Sequence, residues 1–206
     1  MLHYQVHLPT NLHDNAPWLV LLHGRGADEE DLLALAEFFP DHLVVAPRAP
    51  FAAMQWNYGP GYAWYQHLGG TTPDPEHFEH SQNELHSFVI ALPDLLDFKP
   101  GPLFLGGFSQ GGTMSIGYAL RNPGAMSTVL NLSGFLPEHP SVHVTAETVA
   151  DTYFIGRTAF MIWLSRIRWR NRVAASSRPP TPAWPLSICR LTTPSRITPS
   201  PTSKHS

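Results

Sequence analysis

The sequence predicts an α/β domain of three layers, in which helices cover a mostly parallel β-sheet. Up to residue 156, short apolar runs alternate with longer segments of helical periodicity, an order typical of α/β domains. The apolar runs are nearly continuous in valine and leucine, as expected for strands that are buried on both faces. The chain of 206 residues is long enough for one such domain.

Six segments are predicted to be strands, because each is a short, mainly apolar run. The first is expected at an edge of the sheet and the second in its interior. In chain order they are "LHYQVHLP" (2–9), "PWLVLLHG" (17–24), "LVVAPRAP" (43–50), "PLFLGGFS" (102–109), "STVLNLSGFLP" (127–137) and "TYFIG" (152–156).

Three segments are predicted to be helices. Residues 28–39 carry acidic residues in the first turn, where the helix dipole favours negative charge. Residues 109–124 are expected to form a helix that stops at the Asn-Pro-Gly sequence at its end. Residues 73–96 have an apolar stripe along one face. The stripe consists of Phe78, Leu85, Phe88, Val89 and Leu92.

The charge of the chain changes abruptly near residue 151. The net charge is −3, but all 16 acidic residues occur up to Asp151, whereas most of the 13 lysines and arginines follow it. Residues 157–206 are rich in arginine, proline, serine and threonine, which bury too little apolar surface to offset the entropy lost on ordering. The sequence therefore predicts an α/β domain in residues 1–156 that is incomplete at its C-terminal end, followed by a disordered tail in residues 157–206.

Composition also bears on location and partners. No signal-peptide pattern is present, and no window reaches the roughly 18 apolar residues of a membrane span, so no stable membrane insertion is expected. Cys189 is the single cysteine, and a cytoplasmic location is expected. The arginine-rich run 166–172 offers another interpretation, contact with phosphates or anionic lipid. No nucleic-acid-binding fold accompanies it, and no nucleic-acid partner is predicted. The oligomeric state is not predicted.

The stretch Gly107-Phe108-Ser109-Gln110-Gly111 fits the pattern G-x-S-x-G between a predicted strand and a predicted helix. A tight turn there lifts the serine oxygen above the sheet, and glycines two positions away on either side avoid a clash. The N–H of Gln110 at the helix start would point at an oxyanion developing on a bound carbonyl. Ser109 is therefore predicted to be a nucleophile; the alternative is a turn that only packs closely.

A second backbone donor for such an oxyanion is expected from the loop after the second strand. In "LLHGRGADEEDLL" (21–33), the strand ends at His23-Gly24 and continues into a loop that contains Gly26. By position, the N–H of Arg25 is the expected donor, and the Arg25 side chain is expected to be exposed to solvent. His23 is expected to be a structural residue that hydrogen-bonds the loop.

Five motifs in collinear order resemble the phospholipase/carboxylesterase family of α/β-hydrolases, which includes acyl-protein thioesterases and small bacterial carboxylesterases. They are "LLHGRGADEEDLL", "VVAPRAP", "GYAWY" (61–65), "GGFSQGG" and "LNLSGFLP". The resemblance implies the α/β-hydrolase fold and a serine hydrolase that acts on short to medium acyl esters or thioesters, without a cofactor or a metal. It also implies that Ser109 is the nucleophile and that the Arg25 and Gln110 amides form the oxyanion hole.

Aromatic residues after the third predicted strand have two interpretations. They could line an acyl-binding groove near the active face, or they could pack beneath a long loop. The candidates for the groove are Trp56, Tyr62 and Trp64.

A serine of this kind needs an acid and a histidine that follow it in the chain. The family pattern places the acid in a loop after the strand that residues 152–156 resemble, but no aspartate or glutamate follows Asp151. His139 and His143 precede that loop, and His205 is the penultimate residue of the predicted tail. The chain is therefore expected to be a strongly impaired esterase; the alternative is a non-catalytic scaffold that binds acyl ligands.

One hypothesis accounts for the missing acid, the missing histidine and the change of charge together. It is a shift of reading frame at Gly156, because the codons of the following residues, read one base earlier, permit both an aspartate and a histidine at the positions that the family pattern requires. A genuine basic tail remains the alternative.

Overall fold

Eleven strands and two α-helices occur in the computed structural model, which describes residues 1–10, 12–157 and 187–190. The strands are β1 (Tyr4–His7), β2 (Trp18–Leu22), β3 (Leu43–Pro47), β4 (Phe51–Ala52), β5 (Tyr62–Ala63), β6 (His67–Gly69), β7 (Thr72–Pro73), β8 (Leu103–Phe108), β9 (Thr128–Leu132), β10 (Tyr153–Arg157) and β11 (Ser187–Arg190). The helices are α1 (Pro75–Leu96) and α2 (Gln110–Arg121), and two short 3₁₀ helices span Leu33–Phe38 and Ala53–Trp56.

Seven strands form the central sheet in the described part of the chain, in the order β1-β3-β2-β8-β9-β10-β11. The five inner strands of this order (β3, β2, β8, β9 and β10) run parallel to one another. The two edge strands, β1 and β11, pair antiparallel with their neighbours. Two separate two-stranded sheets, β4 with β5 and β6 with β7, lie outside it. The predicted mostly parallel sheet is confirmed, and all six predicted strands are present.

Alternate residues of β2 face two different cores, because successive side chains of a strand point to opposite faces of the sheet. Trp18, Val20 and Leu22 belong to the larger core, which also contains buried residues of α1 and α2. Leu19 and Leu21 belong to a smaller core on the other face, which is covered by the segment around the first 3₁₀ helix. The three predicted layers are therefore present.

The two α-helices lie where their sequence patterns place them. The apolar stripe of α1 is buried except for Val89, which is half-buried, and the carboxylate of Asp74 caps the helix by accepting the N–H of His77 at 3.0 Å. α2 is buried along nearly its whole length and ends at Arg121, immediately before Asn122, as predicted. No helix among the described residues is long and apolar enough to cross a lipid bilayer.

The predicted α-helix at residues 28–39 is wrong. Turns occupy its first half, and only Leu33–Phe38 is helical, as a 3₁₀ helix. Asp28 accepts the N–H of Glu30 on its side chain at 3.0 Å and the N–H of Asp31 on its carbonyl at 3.3 Å. Aspartate side chains compete with helical hydrogen bonds in this way. Glu29 is buried in an ion pair, so these acidic residues do not form an exposed first turn of a helix.

The C-terminal segment departs from the prediction where it is described. Arg157 is the last residue of β10, and Ser187–Arg190 forms β11, which pairs antiparallel with β10. These five residues were expected in a disordered tail and are strand instead. The remainder of the predicted tail lies outside the described residues.

Acidification should destabilise the fold through His42. Its ring packs edge-on against Phe39 and Phe104, and its buried Nδ1 has no hydrogen-bond partner among the described residues. Burial lowers the pKa of His42 below its ordinary value of 6.5. The unfolded chain therefore binds a proton that the folded chain resists, and the free energy of unfolding should fall as the pH drops below about 6.5.

Thermal unfolding of the protein and of His42→Phe, measured from pH 8 to pH 5, tests this. Phenylalanine keeps the aromatic contacts and removes the titrating group, so its Tm should fall less over this range. Equal slopes for the two proteins would contradict the prediction.

Candidate active site

Ser109 lies in a tight turn between the end of β8 and the start of α2. Its backbone has φ 53° and ψ −112°, a conformation that non-glycine residues rarely adopt and that persists only where neighbours hold it. Its N–H donates to the carbonyl of Leu132 at 2.8 Å, and its carbonyl accepts the N–H of Thr113 at 3.0 Å. The strained turn is thus fixed on one side by β9 and on the other by the first turn of α2.

Glycine is required on both sides of this turn because the backbones meet there. A Cβ atom on Gly107 would lie 2.7 Å from the carbonyl oxygen of Leu22, at the end of β2. A Cβ atom on Gly111 would overlap the same carbonyl and lie 2.7 Å from the carbonyl oxygen of His23. Only glycine at these two positions lets α2 approach β2 so closely.

The loop after β2 lies against the Ser109 turn. A Cβ atom on Gly24 would be 2.9 Å from the ring of Phe108. Gly26 has φ +80°, and its N–H donates to the carbonyl of Tyr62 at 2.8 Å. Arg25, between these glycines, is exposed, and its N–H makes no hydrogen bond to the residues described in the structure. A free backbone donor therefore lies in the loop next to Ser109.

The start of α2 adds a second donor and a favourable field. Amides in the first turn of a helix have no intrahelical acceptor, and the helix dipole places partial positive charge there. Ser109 is the residue immediately before α2, and Gln110 is its first residue. An anion beside Ser109 would therefore be stabilised.

The Gln110 side chain fixes the neighbouring segment rather than facing solvent. Its Oε1 accepts the N–H of Trp64 at 3.1 Å, and its Nε2 donates to the carbonyl of Tyr65 at 2.9 Å. The indole N–H of Trp64 donates in turn to the carbonyl of His23 at 3.0 Å. These bonds connect α2, the end of β2 and the Trp64-Tyr65 segment, a role for the Gln110 side chain that the sequence did not indicate.

His23 has the geometry of a structural residue, as the sequence predicts. It is buried, its Nε2 accepts the N–H of Ala49 at 3.0 Å, and its Nδ1 lies 2.7 Å from the carbonyl oxygen of Gly24. This arrangement requires the proton on Nδ1 and leaves Nε2 as an acceptor. Burial lowers the pKa of His23, so the ring is neutral and joins the loop to the end of β3.

The candidate groove residues do not form one exposed surface. Trp64 has no exposed surface and packs against the His23 ring at 5.5 Å, so it belongs to the core beneath the loop rather than to a groove. Trp56 packs against Phe51 at 5.2 Å and against the ring of His77 at 4.7 Å.

Tyr62 is engaged by Arg48. Its ring lies 4.5 Å below the guanidinium of Arg48, and it lines a cavity of about 270 Å³ together with Met1, His3 and His80. The second interpretation of these aromatics, packing beneath a loop, therefore fits Trp64. It also fits the ring contacts described for Trp56 and Tyr62.

Neither a basic nor an acidic side chain is hydrogen-bonded to Ser109 within the described residues. The Ser109 hydroxyl has no hydrogen-bond partner there. His139 is engaged elsewhere: its Nδ1 lies 2.8 Å from the Ser141 hydroxyl and its Nε2 lies 3.2 Å from the carbonyl oxygen of Pro75. His205 and most of the segment to which the frame-shift hypothesis applies lie outside the described residues. Among the described residues, no group of three or more potential ligand side chains is placed to hold a metal ion.

Glu29 and Arg48 form an ion pair beside this loop that the sequence analysis missed. Nε of Arg48 donates to Oε2 of Glu29 at 2.6 Å, and Nη2 donates to Oε1 at 2.5 Å. The Arg48 guanidinium holds the pKa of the Glu29 carboxyl at about 2, so the pair is ionised at neutral pH. The available signal was their placement: the two opposite charges follow β2 and β3, neighbouring parallel strands whose carboxyl ends share one edge of the sheet.

Comparison with known proteins agrees with this architecture. A family model described as phospholipase/carboxylesterase matches residues 6–158. The chain is similar to the crystal structure of esterase PE8, with 31% sequence identity, a TM-score of 0.56 and coverage of 66% of each chain.

Two structures at lower identity share the fold. One is the Bacillus cereus carboxylesterase, at 23% identity and a TM-score of 0.56, where the match covers 68% of this chain and 62% of that one. The other is Zea mays acyl-protein thioesterase 2, at 20% identity and a TM-score of 0.52, with coverage of 73% and 71%.

The matched region contains every element of the candidate site. The chain spans about two thirds of the length of esterase PE8, as the coverage of 66% indicates. The family match runs from β1 to the end of β10 and includes the Arg25 loop, the Ser109 turn and the start of α2. This chain belongs to the phospholipase/carboxylesterase family of α/β-hydrolases.

Proposed function

We propose that Ser109 is the nucleophile of a reaction that cleaves acyl esters or thioesters through an acyl-enzyme. The observation that carries the proposal is the strained Ser109 conformation between β8 and α2, held by hydrogen bonds and by glycines that admit no side chain. Strain of this kind at a polar residue is characteristic of functional sites.

The reaction would follow two steps of acyl transfer. A base removes the proton from Oγ of Ser109, and the oxygen attacks the acyl carbonyl carbon. The oxyanion that forms accepts hydrogen bonds from the amides of Arg25 and Gln110, while the positive end of α2 lowers its energy. Collapse of this intermediate expels the alcohol or thiol, which takes up a proton. Water then attacks the acyl-Ser109 ester in the same way and releases the carboxylic acid.

Proton transfer from Ser109 is the step at which we expect this chain to be slow. No acidic residue follows Asp151, and the described histidines after Ser109 do not hydrogen-bond its hydroxyl. A serine hydroxyl without a base is a weak nucleophile at neutral pH. The nucleophile and the oxyanion donors would therefore be in place while the proton acceptor is not.

Covalent labelling with an alkyl fluorophosphonate, followed by peptide mass spectrometry, tests the nucleophile. Slow labelling is expected on Ser109, and it should disappear in Ser109→Ala. Ser133 is the matched control, since it is an exposed serine that also has a positive φ, and it follows Leu132, whose carbonyl binds the Ser109 amide. Ser133→Ala should be labelled like the unaltered chain.

A non-catalytic scaffold that binds acyl ligands is the second candidate, favoured by the absence of a hydrogen-bond partner for the Ser109 hydroxyl among the described residues. Reversible binding of a non-hydrolysable acyl amide, with no fluorophosphonate label on Ser109 even after prolonged incubation, would support that function and contradict the nucleophile.

A further inference from the structure

The Glu29–Arg48 pair is built more tightly than a surface ion pair. Only 3% of the Glu29 side chain is exposed, and the two donor bonds from Arg48 are parallel and short, at 2.6 Å and 2.5 Å. The Arg48 side chain retains 29% exposure, and His3 adds a third nitrogen at 3.1 Å from Oε1 of Glu29. Two-point geometry of this kind fixes the relative orientation of both groups.

Arg48 is itself anchored to elements outside the loop. Its N–H donates to the carbonyl of His3 at 2.7 Å, directly after β3. Its guanidinium lies 4.5 Å from the centre of the Tyr62 ring, and Nη1 donates to the Tyr62 hydroxyl at 3.1 Å. The guanidinium is therefore held between a carboxylate and an aromatic face, both of which favour its charge.

The loop that carries Arg25 is held at two points, by the backbone of Tyr62 and by the side chain of Glu29. The N–H of Gly26 donates to the carbonyl of Tyr62 at 2.8 Å, and the N–H of Tyr62 donates to the carbonyl of Ala27 at 2.7 Å. Glu29 holds the loop two residues further along. Arg48 thus connects both attachments, because it binds the side chain of Tyr62 and that of Glu29.

The backbone around Arg25 needs an external support. Glycine imposes little restriction on φ and ψ, and Arg25 lies between Gly24 and Gly26. An oxyanion donor is effective only within about 2.7–3.1 Å of the oxygen that it must stabilise. A flexible loop would hold the Arg25 amide within this distance of the oxyanion only part of the time.

We propose that Glu29 and Arg48 are positioning residues, a clamp that fixes the Arg25 amide beside Ser109 as an oxyanion donor. This inference rests on the proposed function of Ser109. It assigns to the pair a role in the geometry of the site, beyond a contribution to overall stability.

Amide hydrogen exchange of the folded protein measures the clamp without requiring any reaction at Ser109. In Glu29→Gln, the amides of Gly26 and Tyr62 should exchange at least about tenfold faster, since a lost charge-assisted hydrogen bond changes a local opening constant by that factor or more. Amides within β8 should exchange in Glu29→Gln at the same rate as in the control variant Glu79→Gln.

A matched control is available in the Arg121–Glu79 pair between α2 and α1. It has the same two-point geometry, with bonds of 2.8 Å and 2.6 Å, and it does not contact the loop. Glu79→Gln should lower the Tm without accelerating exchange at Gly26 or Tyr62.

A double variant, Glu29→Leu with Arg48→Met, covers the case in which Glu29→Gln does not fold. It leaves no unpaired buried charge, so it should remain folded. The amides of Gly26 and Tyr62 should still exchange faster than in the unaltered chain, because apolar side chains do not fix the orientation of the loop.

The rate of fluorophosphonate labelling of Ser109, measured per folded molecule, is the second readout. It should fall at least about tenfold in both clamp variants, because one oxyanion donor is no longer held in place. Unchanged exchange at Gly26 and Tyr62 would refute the clamp, and so would faster exchange with unchanged labelling. Absence of label on Ser109 in the unaltered chain would instead refute the proposed nucleophile, whatever the exchange result.

Discussion

p-Nitrophenyl acetate should be hydrolysed by this chain at least about 10⁴-fold more slowly than by a serine esterase with a complete triad. The members of a triad act as a unit, so removing the base removes most of the benefit of the serine as well. The described residues bring no histidine to the Ser109 hydroxyl, and the sequence offers no carboxylate after Asp151 to orient one.

A residual rate above that of buffer should nevertheless be measurable. Oxyanion donors and substrate binding alone leave about 10³–10⁴-fold acceleration over water in serine hydrolases without a working triad. This remainder does not require the serine, so it should be kept in Ser109→Ala as well as in Ser133→Ala. Hydrolysis at the rate of ordinary esterases, abolished by Ser109→Ala, would show that a base reaches the serine and would contradict the expectation.

Gly111→Ala should be the most destabilising single methyl addition near the site. The added Cβ atom would overlap the carbonyl of Leu22 and lie 2.7 Å from that of His23. Both are backbone groups at the end of the fully buried strand β2, in the interior of the sheet. Neither can move without a large cost in free energy, because the strand would have to move with it. The expected loss is at least about 3 kcal/mol of unfolding free energy, enough to prevent folding of a marginal domain.

Gly70→Ala is the control for the conformational freedom of glycine alone. Gly70 has φ +55°, but a Cβ atom there would meet nothing within 4 Å. Its replacement should cost about 1 kcal/mol, the ordinary penalty of a left-handed residue with a side chain. Urea denaturation followed by circular dichroism compares the two. Equal stability of the two variants would mean that α2 does not need its close approach to β2.

Six of the seven strands of the central sheet were predictable because each carries its own apolar signal, whereas β11 was not predicted. The apolar runs of β2 and β3 could only be strands buried on both faces, and the glycines around Ser109 required a close strand-helix turn. Such signals are local, so they can be recognised in the sequence without knowing which elements pack beside them.

The features that sequence reasoning missed depend on contacts between distant segments. Residues 28–39 have helical spacing, but burial of Glu29 against Arg48 and the turn at Asp28 override that preference. For Trp64 the sequence left two interpretations open, a groove residue or a packed one, because composition does not distinguish exposed aromatic residues from buried ones. Its buried position depends on partners distant in the chain, such as Gln110, which accepts the N–H of Trp64 across 46 residues.

The most direct test of the account is to follow acetylation of Ser109 by intact-protein and peptide mass spectrometry in p-nitrophenyl acetate, with and without imidazole. Imidazole is a diffusible base that can accept the Ser109 proton, so acetyl-Ser109 should form slowly without it and faster in proportion to its concentration. Ser109→Ala, which controls for acetylation of other groups, should show no such response at that peptide. Rapid acetylation of Ser109 that is indifferent to imidazole would reveal an internal base and contradict the account, as would imidazole-dependent acetylation that never reaches Ser109.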